Sequence, residues 1–153
     1  MKTTVSKTTV SKEQAMYLAA RWFPGHLAAM DHAECVELLD RSEVGRVAFD
    51  DPEGPLVLPV NHVMVDERIV FRTAPRTAIA NHVGTGQVSY QVDEFDSYTS
   101  SGWSVLARGP AEFVDGVWLK AHDLEPEPWA DGRRTLFVCI TPTQITGRRV
   151  VPV

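Results

Sequence analysis

The stretch from Arg68 to Gly84, RIVFRTAPRTAIANHVG, constrains the fold more than any other part of this 153-residue chain. Ile69, Phe71 and Thr73 alternate with Val70 and Arg72, the period-2 pattern of a strand with two distinct faces. Pro75 breaks that strand, and a short helical run follows that Gly84 can end as the residue just past its last turn. Arg72, Thr73, Arg76 and Thr77 are therefore predicted to crowd around a turn that leads into a helix N-terminus. Backbone N–H groups and the positive end of a helix dipole favour an anion at such a place. Arginine supplies a fixed fork of donors that suits phosphate, and threonine hydroxyls can add further hydrogen bonds. Two readings stay open here: a phosphate-binding turn, or threonines that cap the helix beside solvated arginines.

Around this stretch the chain reads as short strands. Beside the central strand, residues 46–50, 56–65, 87–92, 102–114, 134–140 and 145–150 carry strand patterns, about six strands of ordinary length. Segment 56–65 is apolar on both faces except at Asn61 and His62, which predicts a barrel packed from outside by a helix or another subunit. Gly109-Pro110 in the middle of 102–114 predicts a bulge or barrel corner. Asp31 and Glu34 form a cap-like pair before Cys35, Leu38 and Leu39, so a helix is expected to stop near Ser42. Residues 116–132 hold a helix-like piece and a loop rich in proline and tryptophan. Many short strands with few helices give a mainly β (α+β) chain, a small antiparallel barrel with flanking short helices.

The N-terminus is organised differently. KTTVS occurs twice in residues 2–11, and residues 1–11 are expected to be a disordered tail that can be deleted without loss of stability. Ser11 and Gln14 form a capping box that opens a predicted helix through Trp22, ended by Phe23-Pro24-Gly25. Residues 12–30 are accordingly assigned to a helical extension and 31–153 to the barrel domain.

Several chemistries find no support. A net charge of −5 offers no general basic field for nucleic acid. No apolar run approaches a membrane span and no secretory h-region is present, so a cytoplasmic protein is expected. Cys35 and Cys139 sit in apolar patterns and read as buried free thiols. The five histidines lack metal-ligand spacing, and GxSxG, P-loop, HExxH and CxxC motifs are absent. Cys35 beside His32 is a poor nucleophile pair, because nothing supplies the orienting third group. Asp93, Glu94 and Asp96 read as a solvated turn paired with a nearby arginine rather than as a cation site. An enzyme without its own nucleophile or acid–base cluster borrows its chemistry from a cofactor, and many cofactors carry a phosphate.

The run GRVAF (45–49), LPVNHV (58–63), IVFRTAP (69–75), VDEFD (92–96), GWSVLARG (102–109) and ITGRR (145–149) resembles the pyridoxamine 5′-phosphate oxidase-like flavoproteins, in their small actinobacterial-type branch. The resemblance covers residues 31–150 and implies a six-stranded antiparallel split β-barrel. It also implies a homodimer with FMN at the subunit interface and a small-molecule substrate. On that resemblance Pro59, Val60 and Asn61 would lie along the isoalloxazine ring. Arg72, Thr73, Ala74, Arg76 and Thr77 would meet the ribityl phosphate. Trp103, Ser104 and Val105 would reach the flavin from the second subunit, although an aromatic on a barrel strand is more often core. No catalytic acid or base is identified, and a packed barrel histidine is the expected role of His62.

The resemblance implies two readings of function. One is an FMN-dependent oxidoreductase passing electrons from reduced nicotinamide to a small organic acceptor. The other is a non-catalytic carrier of flavin, deazaflavin or heme. Related sequences read RTAPGTK at the turn where this chain reads RTAPRTA. Arg76 thus replaces a glycine, and the lysine expected at Ala78 is missing. Either Arg76 restores the charge from another direction, or flavin affinity is weakened or another cofactor preferred.

Overall fold

A computed structural model describes residues 26–123 and 126–151. Asp31 caps the first helix, its side chain accepting from the Glu34 backbone N–H at 2.8 Å. That helix, α1 (His32–Arg41), ends where the Ser42 backbone N–H and hydroxyl both donate to the Leu38 carbonyl. Its buried face is Cys35, Leu38 and Leu39, as the i, i+3, i+4 spacing requires.

Six strands close the barrel in the order β6-β5-β2-β3-β4-β7, every neighbouring pair antiparallel. They are β2 (Val44–Asp51), β3 (Gly54–Val65), β4 (Arg68–Thr73), β5 (Gln87–Asp96), β6 (Ser101–Val114) and β7 (Leu136–Ile140). Gly109-Pro110 marks the handover on β6. Residues Gly102 to Arg108 pair with β8 (Gln144–Val151), and Ala111 to Val114 pair with β7. β7 and β8 thus follow one edge of β6 in succession, separated by Thr141-Pro142-Thr143, and there the sheet divides. The β7 half closes on β4, whereas the β8 half carries β1 (His26–Met30) outward.

Two elements differ from expectation. His26–Met30, placed in the helical extension, is a strand, because the outer edge of β8 offers it backbone partners from Val151 to Gly147. The rest of that extension and the predicted tail, residues 1–25, lie outside the described residues. The acidic run expected as a turn continues β5, with Asp93 to Asp96 in register with Ser104 to Ser101. The expected arginine partner is present: Arg46 Nη1 lies 2.9 Å from Asp93 Oδ1.

Ile69, Phe71, Val88, Tyr90, Val92, Val105, Ala107 and Val138 fill the barrel, all essentially inaccessible. A smaller second cluster of Val65, Val70, Leu119 and Cys139 lies on the outer face of β4 and β7, under α3 (Gly116–Ala121). Both cysteines are free and buried. Among the described residues no helix is long and apolar enough to cross a membrane.

Candidate functional site

β4 delivers its alternating residues as the sequence pattern predicts. Thr73 points into the barrel with Ile69 and Phe71, whereas Arg72 faces outward beside Phe137, its register partner on β7. Pro75 followed by a positive φ at Arg76 (66°) is the signature of a type II turn. Thr77 then caps α2 (Ala78–His82) by accepting from the Ala80 N–H. The Thr77 hydroxyl donates its single proton to the Ala74 carbonyl at 3.0 Å. In the 2.8 Å contact between the two hydroxyls, Thr73 must therefore be the donor. Both threonine protons are spent inside the turn, so the charge that could meet an anion comes from Arg72 and Arg76. Arg76 is exposed. Gly84, at φ 83°, ends the segment as the left-handed residue after the Val83 cap.

Arg72 is half-buried. Its Nε donates to the Arg134 carbonyl at 3.0 Å, and its guanidinium lies 5.1 Å from the Phe137 ring centroid. A groove of about 480 Å³ opens beside it, lined by Leu119, Lys120, Thr135 and Phe137 among others. Ala78 faces a different groove, of about 440 Å³, that it shares with Asp50 and Asp51.

The β3 stretch of the candidate site is an open edge. β3 pairs with β2 from Gly54 to Asn61 but with β4 only from His62 to Val65. On the β4 side, Pro59, Val60 and Asn61 therefore have no strand neighbour among the described residues. Val60 turns its side chain to the core, Pro59 is exposed, and the Asn61 Oδ1 accepts from the Trp129 backbone N–H at 3.0 Å.

Trp103, Ser104 and Val105 lie on the half of β6 that pairs with β8. Trp103 is half-buried against the core and Val105 is fully buried. Val114 is the β6 residue opposite Phe137, and so lies level with Arg72. It lies eleven steps along the strand from Trp103, about 35 Å if extended. Within one chain, the Trp103 group and the Arg72 turn are thus at opposite ends of β6.

His62 is locked inside the barrel. A carbonyl can only accept, so the 2.8 Å contact with the Leu39 oxygen puts the imidazole proton on Nε2. Nδ1 then accepts from the Tyr90 hydroxyl at 2.7 Å. Burial pushes the His62 pKa down, against the Leu39 bond and the Asp40 charge, which act the other way. Burial likewise raises Tyr90 far above the ordinary phenol range. The unfolded chain takes up a proton near pH 6.5 that the folded protein refuses. Stability is therefore expected to be full above about pH 6.5 and to fall as the pH drops below it, at up to about 1.4 kcal/mol per pH unit. Urea melts between pH 5 and 7.5 should show this slope, and His62→Gln should flatten it. An equal slope in the variant would assign it to other groups.

Cys35 and His32 do not meet as a reactive pair. Cys35 is buried and its thiol is pushed up by burial, whereas His32 is exposed and faces Glu67 at 3.4 Å. Among the described residues no group of histidine, cysteine and carboxylate side chains could hold a metal ion. The Trp129–Asn61 and Arg72–Arg134 contacts and the His62–Tyr90 pair had no sequence signal, since each joins residues far apart in the chain.

A six-stranded split barrel, with a basic turn at one strand end and an open edge on the adjacent strand, defines the class of protein. The chain belongs to the pyridoxamine 5′-phosphate oxidase family, whose model matches residues 31–149. It is 31% identical over 128 residues to the uncharacterised protein Rv0080 of Mycobacterium tuberculosis, covering 80% of this chain and 84% of that one. The structure of the FAD binding protein from Mycobacterium smegmatis superposes with a TM-score of 0.68 at 31% identity, over 80% of this chain and 98% of that one. The FAD and heme binding protein from Mycobacterium smegmatis shares the fold at a TM-score of 0.62 and 16% identity, over 83% of this chain and 75% of that one.

Proposed function

We propose that the protein binds a flavin phosphate, FMN or the FMN half of FAD, and acts in the cytoplasm as a flavin-dependent oxidoreductase. The observation that carries this reading is the basic turn at the end of β4 next to the open edge of β3. Backbone groups of Pro59, Val60 and Asn61 would hold the ring, with Arg72 and Arg76 toward the phosphate. The residues present fit such a group, since an unpaired backbone edge suits a planar heterocycle and two guanidiniums suit a phosphate. Bound flavin would supply the electron transfer, from reduced nicotinamide to a small organic acceptor. The protein would orient the ring and exclude water from it.

The position of Trp103 and Ser104, far from the Arg72 turn of their own chain, favours a homodimer in which they reach the flavin of the other subunit, whereas Val105 fills the barrel and serves only to anchor that strand. Light scattering at micromolar concentration is expected to give twice the 17.0 kDa chain mass. A monomer would contradict the shared site. A carrier function is favoured by one observation: His62, the titratable group of the ring-side strand, is shut in the core and cannot transfer a proton there. An absorption spectrum of the protein as purified identifies flavin, deazaflavin or heme. Steady-state consumption of NADH or NADPH then separates enzyme from carrier.

A further inference from the structure

Residues 126–135, which lead into β7, join the two halves of the candidate site. At one end the Trp129 N–H is bound to the Asn61 side chain on β3. At the other, the Arg134 carbonyl is bound to the Arg72 Nε on β4. Between them Arg134 Nη1 donates back to the Ala130 and Asp131 carbonyls, at 2.7 and 3.0 Å, which curls the segment into a compact strap. Pro126 and Pro128 stiffen its approach, because each fixes its own φ. The strap places a tryptophan beside the open β3 edge, yet that residue is 72% exposed. A large indole held by a stiff backbone and left uncovered is a surface that lacks its partner.

We infer that residues 126–135 form a strap over the flavin and that Trp129 packs its indole on the isoalloxazine ring. The inference rests on the flavin reading above. The chemistry is complementary, because the ring is flat and electron-poor and the indole is flat and electron-rich. Offset stacking of two such systems adds to the apolar area removed from water. Asn61 acts as the positioning residue, holding the strap backbone where the indole can reach the ring. Neither Trp129 nor Asn61 needs the phosphate, so their effect falls on the ring alone.

Titration of the full-length protein with riboflavin and with FMN tests this, read by flavin emission and by affinity. A stacked indole quenches flavin emission. Trp129→Leu is expected to raise the emission of bound flavin several-fold and to weaken riboflavin and FMN alike by roughly ten-fold. Trp129→Phe should keep most of the affinity but relieve part of the quenching. Asn61→Ala should lie between wild type and Trp129→Leu. Because Trp129 is exposed, an unchanged melting temperature will show that the variants fold. If wild type and Trp129→Leu bind flavin with the same affinity and emission, the strap does not touch the ring and the inference is wrong. Wild-type protein that binds no flavin at all would overturn the flavin reading, and the strap's role with it.

Discussion

Gly45→Ala is expected to destabilise the protein by about 3 kcal/mol or more, at the upper end of overpacking effects. A Cβ at Gly45 would fall on the Tyr90 ring and hydroxyl. Tyr90 cannot step aside, because its ring is fully buried and its hydroxyl is tied to His62, which is itself tied to Leu39. The glycine therefore makes room for the ring where β2 runs beside its antiparallel neighbour β5. Tyr90→Leu alone should also be costly, through lost volume and a His62 Nδ1 left without its donor. The pair in one protein should cost less than the sum of the singles, because the leucine removes the atoms the new methyl would strike. Denaturant melts of the four proteins give the coupling. Simple additivity would show that the two sites do not touch.

Arg76→Gly should move stability and binding in opposite directions. At φ 66° an arginine occupies the left-handed region that glycine enters without strain. Replacing it should raise the stability of the ligand-free protein by roughly 0.5–1 kcal/mol. FMN affinity should fall ten- to a hundred-fold, the worth of a charge-assisted hydrogen bond of about 1.5–3 kcal/mol. Riboflavin, which has no phosphate, should bind both proteins alike. Adding Ala78→Lys should restore FMN only in part, since position 78 shares its groove with Asp50 and Asp51, which compete for the ammonium. Arg72 is a less clean probe, because removing it also breaks the bond to Arg134 and uncovers Phe137.

What the sequence made legible was local. The Asp31 cap, the Ser42 stop, the alternation of β4 and the Gly84 terminus each depend on residues within a few positions of one another, and each is present. Gly109-Pro110 was readable as a corner because a proline cannot continue a central ladder, but not which strands exchange there. The strand at His26–Met30 was not legible, since its partner is β8 at the far end of the chain. Nor was the run through Asp96, where pairing with β6 outweighs the turn preference of the aspartates. At the site, Arg72 and Arg76 stood out by charge next to a breaker. Nothing in a tyrosine at 90, a glycine at 45 or a tryptophan at 129 announces what each one touches. Those contacts follow from barrel closure, which brings together residues that carry no common pattern.

Whether the β4 turn receives a phosphate is measured most directly by titrating wild-type protein in parallel with FMN and riboflavin. The two ligands share the ring and differ in the phosphate. FMN is predicted to bind at least about ten-fold more tightly, from one or more charge-assisted bonds to Arg76 and Arg72. Raising the salt should narrow the gap, because the exposed Arg76 is open to screening. Equal affinities for the two flavins at low salt would contradict the account and leave Arg76 a surface charge.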